Sequence, residues 1–178
     1  MQYKKLTGIV LKKQNYREAD QILTVWTKEA GMVRVLAKSI RLPKSKLVYA
    51  VTDLGVSEIE ITGKHLPVLI NAKSIRQFMS LREELQKTAI GLYAAELMLK
   101  MTADEHPNQT AFNLLSDFLI YLDQPEYFPT DYELLDKFSL NLLACLGFKF
   151  PEVSNPTHTT INKFIEYIIE RPVWMTKF

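Results

Sequence analysis

The chain has 178 residues, of which 47% are hydrophobic and 24% are charged, as is ordinary for a globular protein of one or two small domains. Its longest charge-free apolar stretch, Phe138 to Phe148, has eleven residues. A membrane-spanning helix needs roughly 20, and the N-terminus lacks the apolar core of a signal peptide. The composition therefore predicts a cytoplasmic protein without a membrane span.

Neither metal nor cofactor chemistry is indicated. The single cysteine, Cys145, excludes an internal disulfide and a cysteine-based zinc site. His65, His106 and His158 have no ligand partner at helical spacing, and the six glycines are isolated, so a phosphate-binding glycine loop is missing. Because no group of residues combines a nucleophile with a base, we expect a protein that is not an enzyme and has no cofactor.

The charge is segregated along the chain. Residues 1–50 carry eleven basic and three acidic residues, a balance of +8. Residues 51–80 balance to zero, and residues 81–178 carry eight basic and fourteen acidic residues, a balance of −6. Such asymmetry is typical of a nucleic-acid-binding module joined to a module of another kind.

Up to about residue 79 the apolar residues follow the short period of β-strands. Turn signals separate five predicted strands, which are Leu6–Leu11, Ile22–Trp26, Met32–Ala37, the alternation from Glu58 to Ile61, and Pro67–Ile75. Five short strands are too few for two filled sheets and predict a small barrel. The oligonucleotide-binding (OB) fold is the leading candidate, and an SH3-like barrel is the alternative.

From Ser80 onward the period becomes helical. Ser80–Glu83 has the pattern of a capping box, and the helix after it extends to Pro107 with Leu85 on its apolar stripe. Further helices are predicted over 110–122, from a second capping box at Thr130–Glu133 to Gly147, and over 159–170. The fold class is thus α+β, with a five-stranded OB barrel over 1–79 followed by a helical bundle over 80–178.

Three segments in the first half carry a resemblance to a known family. In segment 16–24 a tyrosine, glutamate, alanine and aspartate precede an apolar strand; segment 36–41 reads Leu-Ala-Lys-Ser-Ile-Arg; and segment 43–47 is a basic loop. Here the chain resembles RecO, a family of bacterial recombination and repair mediators. The likeness is good over residues 1–80 and looser over 81–151, where helix lengths and the ending at Leu146–Phe148 carry it.

The resemblance implies an N-terminal OB domain that binds single- and double-stranded DNA. It implies annealing of complementary strands and help in replacing the single-strand-binding protein SSB by recombinase. The implied partners are DNA, RecR and the C-terminal tail of SSB, in the bacterial cytoplasm at the nucleoid. The sequence departs from the family in two ways: residues 151–160 contain no cysteine where many members have a four-cysteine zinc site, and the chain ends earlier than a typical member.

A basic loop is the first candidate for DNA contact. Lys38, Arg41, Lys44 and Lys46 lie around Pro43, which keeps the loop out of a helix. Neutralising phosphates with such a cluster gives a salt-dependent affinity that is nearly blind to sequence. A loop that is merely solvated is the alternative, but the local charge balance and the resemblance favour DNA binding.

Four further basic residues lie on the predicted strands and turns of the barrel, and they are Lys12, Lys13, Arg17 and Arg34. Glu18 and Asp20 repel DNA and are expected to be structural. The carboxylate of Asp20 is predicted to cap a turn or to pair with Arg17 or Arg34.

Aromatic side chains stack on unpaired bases in OB grooves. The nearest candidates are Tyr16, Trp26 and Tyr49. Tyr16 lies in a predicted turn from which it could reach a base, whereas Trp26 follows apolar strand residues and is expected to fill the barrel.

In the family, the helical domain offers the SSB tail a hydrophobic pocket surrounded by basic residues. The basic residues nearest an apolar helix surface here are Arg82, Lys87 and Lys100, and the resemblance makes them the expected contacts. Two rival functions stay open. One is an OB-type RNA-binding module, because barrel and charge do not distinguish DNA from RNA. The other is an interaction scaffold whose basic loop contacts an acidic protein.

Overall fold

The computed structural model describes residues 3–127, 129, 132–153 and 155–170. The chain forms two compact units. The first unit contains Met1–Phe78 and Ala103–Phe112, and the second contains Met79–Thr102 and Asn113–Phe178. Residues 103–112, which the sequence pattern places among the helices, thus belong to the barrel unit.

The first unit is a closed five-stranded barrel in the order β1-β2-β3-β5-β4. Its strands are β1 Tyr3–Tyr16, β2 Asp20–Thr27, β3 Gly31–Ala37, β4 Val56–Thr62 and β5 Val68–Arg76, with a short helix α1 Leu47–Ala50 between β3 and β4. Neighbours are antiparallel except β3 and β5, which close the barrel in parallel at Leu36 and Val68. This strand order confirms the predicted OB barrel over the SH3-like alternative.

The barrel interior is filled by apolar residues at alternate strand positions. β2 contributes Leu23 and Val25, and β3 contributes Val35 and Ala37. Trp26 is buried as predicted. However, alternation along β2 turns it away from Val25, so it lies on the outer side of the strand and does not fill the barrel interior.

Residues 103–107 extend the barrel along β3. Asp104 forms a parallel bridge with Met32, and the backbone N–H of Glu105 donates to the carbonyl of Met32 over 3.0 Å. Gly31 has a φ of +69°, and a Cβ there would overlap the backbone of His106. Glycine is therefore required at this position both for the backbone conformation and for the close approach of the segment.

The second unit is helical. Its helices are α2 Met79–Glu83, α3 Leu85–Met101, α4 Gln109–Leu122, α5 Glu133–Cys145 and α6 His158–Ile169. α5 ends as predicted at Gly147, whose φ is +82°. The N–H groups of Gly147 and Phe148 donate to the carbonyls of Ala144 and Leu143, which is the Schellman arrangement.

The prediction of one helix from Ser80 to the region of Pro107 is wrong. Glu84 is extended and separates α2 from α3. Ser80 lies inside α2, and its hydroxyl accepts a hydrogen bond from the Lys87 ammonium instead of capping the helix. Leu85 is 84% exposed and so does not belong to an apolar stripe. In the second predicted capping box, Thr130 and Asp131 lie outside the described residues.

A buried polar chain links three helices within the second unit. The Tyr93 hydroxyl of α3 donates to the side-chain carbonyl of Asn162 over 2.6 Å. Asn162 also contacts His158 of α6, whose other ring nitrogen meets Asp136 of α5. Burial raises the pKa of Tyr93, and the nearby acids raise it further, so the hydroxyl stays protonated as a donor.

Within the described ranges, none of the helices is long and apolar enough to cross a membrane. The same residues contain no group of three or more histidine, cysteine or acidic side chains that could hold a metal ion.

Candidate nucleic-acid interface

The outer side of β1, β2 and β3 is exposed around Lys12 and Arg34, whereas Trp26 on the same side of β2 is buried. Strand register places Lys12 opposite Thr24 and Thr24 opposite Arg34, so the three residues form one row across the sheet. Leu23 and Val35 point into the core, so this row must point outward. Lys12 and Arg34 are both exposed. We call this surface, together with the turn at 17–19 and the loop at 38–46, the basic face.

The basic loop is held against the barrel at its beginning. Ile40 is buried in the barrel core. The backbone N–H of Ser39 donates to the carboxylate of Asp20 over 2.7 Å. The backbone N–H of Arg41 donates to the carbonyl of Ala19 over 3.0 Å. These contacts fix the path of the loop beside the turn between β1 and β2.

The four cations of the loop differ in how they are held. The Arg41 guanidinium donates to the backbone carbonyl of Glu18 over 3.1 Å, which orients it on the surface. Lys38, Lys44 and Lys46 are exposed. Among the described residues, no acidic side chain forms an ion pair with these three lysines. Their charge is therefore available to an anionic partner.

Asp20 has a structural role, as the sequence predicts. Its carboxylate accepts from the backbone of Ser39, which has a φ of +53°. Of the predicted alternatives, the structure places Asp20 at a turn cap, and among the described residues Asp20 forms no ion pair with an arginine. An acid on the basic face thus holds the loop that carries the cations.

Two of the predicted cations are held by acids of the same unit. Lys13 pairs with Asp53 over 3.5 Å, and only 18% of its side chain is exposed. Arg34 pairs with Asp104 over 3.3 Å, and 64% of its side chain is exposed. Lys13 is thus a weak candidate for a phosphate contact, whereas Arg34 can reach a ligand if Asp104 is exchanged.

The aromatic candidates are placed differently. Tyr16 is half-buried at the end of β1, and the Arg17 guanidinium carbon lies 5.2 Å from its ring centroid. A base would have to stack on the ring face that Arg17 leaves open. Tyr49 is 73% exposed on α1, while Trp26 is 1% exposed and so offers no ring to a base.

The partner residues predicted in the helical unit do not form one surface. Lys87 is 1% exposed, and its ammonium donates to the Ser80 hydroxyl and to the carbonyl of Gln124. Lys100 pairs with Glu96 one turn away over 2.6 Å. Arg82 is exposed on α2. Placing Lys87 at the surface was wrong, because α3 turns this position toward the interior of its unit.

A cleft at one end of the barrel was missed by the sequence analysis. It encloses about 420 Å³, a volume within the usual range of ligand pockets. Basic residues around it come from the start of β1, from β3 and from the β4–β5 loop, and they are Lys4, Arg34, Lys64 and His65. We call it the barrel-end cleft. The available signal was the loop of residues 63–67, where a lysine and a histidine lie between a glycine and a proline.

Comparison with known proteins covers most of the chain. The family model for the N-terminal part of recombination protein O matches residues 1–78, and the model for its C-terminal part matches residues 82–159. The chain belongs to the RecO family. The resemblance noted in the sequence is thereby confirmed.

Curated relatives within the RecO family carry the name DNA repair protein RecO. The protein from Dehalococcoides mccartyi strain CBDB1 is 35% identical over 153 residues, covering 84% of this chain and 58% of the relative. The protein from Trichodesmium erythraeum is 34% identical over 128 residues, covering 69% of this chain and 43% of the relative. The protein from Anaeromyxobacter sp. strain K is 32% identical over 146 residues, covering 80% and 56%. The chain thus spans less than two thirds of each relative.

Proposed function

We propose that this RecO-family chain binds single- and double-stranded DNA through the basic face and acts, without catalysis of its own, as a mediator of DNA repair and recombination. In this role it anneals complementary strands and helps to replace SSB by recombinase at the bacterial nucleoid. The observation that carries the proposal is the set of exposed cations that the Asp20 and Ala19 contacts hold beside the outer surface of β2 and β3.

The electrostatics of the basic face suit a phosphate backbone better than a base sequence. Lysine ammonium groups contact phosphates as point charges, which gives affinity without sequence readout. Annealing requires this property, because a protein that joins any two complementary strands cannot depend on their sequence. The OB fold binds oligonucleotides on the same strands, β2 and β3.

For the protein partners, we propose fewer contact residues than the sequence predicts. RecR and the SSB tail are proposed to dock on the helical unit. Arg82 and Lys100 remain candidate contacts for the acidic tail. Lys87 is withdrawn because its buried ammonium is already bonded within the unit.

An annealing assay tests the proposal. Complementary DNA strands, bare or coated with SSB, are mixed with the protein over a salt series, and pairing is followed by fluorescence quenching. We expect annealing of both substrates that is lost as salt rises. Annealing of bare strands alone would remove the SSB part of the proposal. Absence of annealing at every salt concentration would overturn the mediator function.

The same assay with matched RNA strands separates the first rival. A mediator of DNA repair should prefer DNA, whereas a translation-type RNA module should prefer RNA. The interaction scaffold predicts that neither nucleic acid binds, even at low salt.

A further inference from the structure

The barrel-end cleft begins where the basic face ends. Arg34 belongs to both surfaces, since it lies in the outward row with Lys12 and also lines the cleft. Lys4 and Lys64 continue the positive charge beyond Arg34, and His65 also lines the cleft. All four side chains are exposed. A polyanion that crosses β2 and β3 therefore meets a further set of cations at the cleft.

The barrel-end cleft is not lined by cations alone, because carboxylates line it as well. Asp104 holds Arg34 over 3.3 Å. Glu29 accepts from the backbone N–H of Thr7 over 2.8 Å and so has a structural partner. Glu105 also lines the cleft, and it forms no ion pair with another described residue. Among these acids, Asp104 is the one that holds a cation of the basic face.

The Asp104 carboxylate has the charge and hydrogen-bonding pattern that a phosphate offers to a guanidinium. Both partners are more than half exposed, with 64% and 54% of their side chains accessible, so the pair is weak and exchangeable. The segment that carries Asp104 is fixed to β3 by backbone contacts with Met32, which do not depend on the carboxylate. Exchange therefore does not require the segment to leave the barrel.

We propose that the barrel-end cleft is an extension of the DNA site, in which Arg34 exchanges the Asp104 carboxylate for a phosphate of a single strand while Lys4 and Lys64 hold the phosphates that follow. This rests on the proposed function and adds an internal competitor: Asp104 occupies the cation until DNA is bound. The carboxylate lowers the affinity for DNA, because it must leave Arg34 before a phosphate can bind there.

The test is a double-mutant cycle read by fluorescence anisotropy of a labelled single-stranded oligonucleotide over a salt series. Asp104→Asn releases Arg34, and Glu105→Gln is the matched control because it removes the same charge from the same cleft. We expect Asp104→Asn to raise affinity several-fold more than Glu105→Gln. The dependence of log affinity on log salt should change by much less than about 0.7, the value for one single-strand phosphate contact, because Arg34 binds the same phosphate in both proteins.

Removing Arg34 should erase that difference. In an Arg34→Ala background, Asp104→Asn and Glu105→Gln should have equal effects, because only their general charge effect remains. Lys64→Ala should flatten the salt dependence, whereas Lys73→Ala, on the opposite outer surface of the barrel, should leave it unchanged. Thermal unfolding of each variant confirms that the barrel is intact.

The outcomes distinguish the two proposals. If the unaltered protein binds no DNA at any salt concentration, the proposed function fails, and this extension fails with it. If the protein binds DNA but Asp104→Asn matches Glu105→Gln and Lys64→Ala matches Lys73→Ala, the DNA site ends at the basic face and the extension alone is overturned.

Discussion

Two outer surfaces of the same barrel carry lysines, but only one of them has acidic residues directly across the strands from its lysines. On the surface formed by β1, β4 and β5, Lys5 pairs with Glu58 over 2.9 Å and lies directly across from Glu60. Lys73 lies across from Glu58 on the other side. On the basic face, the row through Lys12 and Arg34 has Thr24 between the two cations, and the acid that pairs with Arg34, Asp104, lies outside these three strands. We call the first surface the compensated face.

The two surfaces differ in the cross-strand position of their acids and not in whether they carry lysines. Oppositely charged neighbours across two strands interact with each other, and their fields cancel at a distance. Cations without such neighbours keep a field that reaches a phosphate backbone. One barrel thus has a surface whose charges are balanced across the strands and a surface that carries the proposed DNA site.

The largest expected effect is a loss of stability when the close contact between Gly31 and His106 is disrupted. Gly31→Ala forces a side chain against His106 at a φ of +69°. We expect a loss of about 2 to 5 kcal/mol in the free energy of unfolding, from backbone strain and overpacking together. Urea denaturation measures it. Gly147→Ala is the control, because it has a φ of +82° with no atom within 4 Å. Equal losses in both variants would mean that the contact with His106 contributes nothing.

The second effect compares the two faces directly. Arg41→Ala combined with Lys44→Ala should weaken binding of single-stranded DNA about tenfold near physiological salt and flatten the salt dependence by about 1.4, or 0.7 per contact. Lys5→Ala combined with Lys73→Ala removes the same charge from the compensated face. Anisotropy titrations should show little change for this second pair. If both pairs weaken binding equally, net charge and not the face determines affinity.

A smaller effect concerns the acid that holds the basic loop. Asp20→Ala removes the acceptor for the backbone N–H of Ser39, and we expect a loss of about 1 kcal/mol in unfolding free energy. Asp20→Asn keeps a side-chain oxygen at this position and should lose less. Chemical denaturation compares the two variants. A loss as large for the asparagine as for the alanine would show that the charge, and not the hydrogen bond, is what matters.

The smallest effect lies on the compensated face. The hydrogen bond and charge of Glu58 raise the pKa of Lys5 above its ordinary value of 10.5. The folded state therefore gains stability from this pair below pH 10.5 and loses it as the pH rises through the raised pKa. In Glu58→Gln, an NMR titration of the Lys5 ammonium should show the pKa falling back toward 10.5. An unchanged pKa would mean that the ion pair does not form in solution.

Strand period and turn residues were sufficient to predict the barrel, because alternation of apolar residues is a local property of each strand. The basic loop was also predictable, since Pro43 keeps it outside regular structure, where cations are exposed. Lys87 could not be placed in this way. On a helix, exposure depends on which side neighbouring helices cover, and α3 has apolar residues around much of its circumference.

Ser80 and Asp104 make contacts that local sequence patterns do not predict. The residues after Ser80 fit a capping box, but a tertiary hydrogen bond from Lys87 uses the serine hydroxyl instead. Asp104 lies 70 positions after Arg34 in the sequence, and no local pattern connects the two. Contacts of this kind form only when the tertiary structure of each unit brings together residues that no helix or strand period relates.

The segment at residues 103–107 also determines when the barrel unit can be completed during translation. The five strands leave the ribosome first, but the residues that cover the beginning of β3 follow only after the whole of α3 has been made. Until then the edge of β3 near Met32 has free backbone groups, and such an edge is a template for pairing with other chains. The nascent protein therefore passes through a stage in which the five strands are complete but the edge of β3 is uncovered. Covering that edge requires the synthesis of α3, a helix that is not part of the barrel.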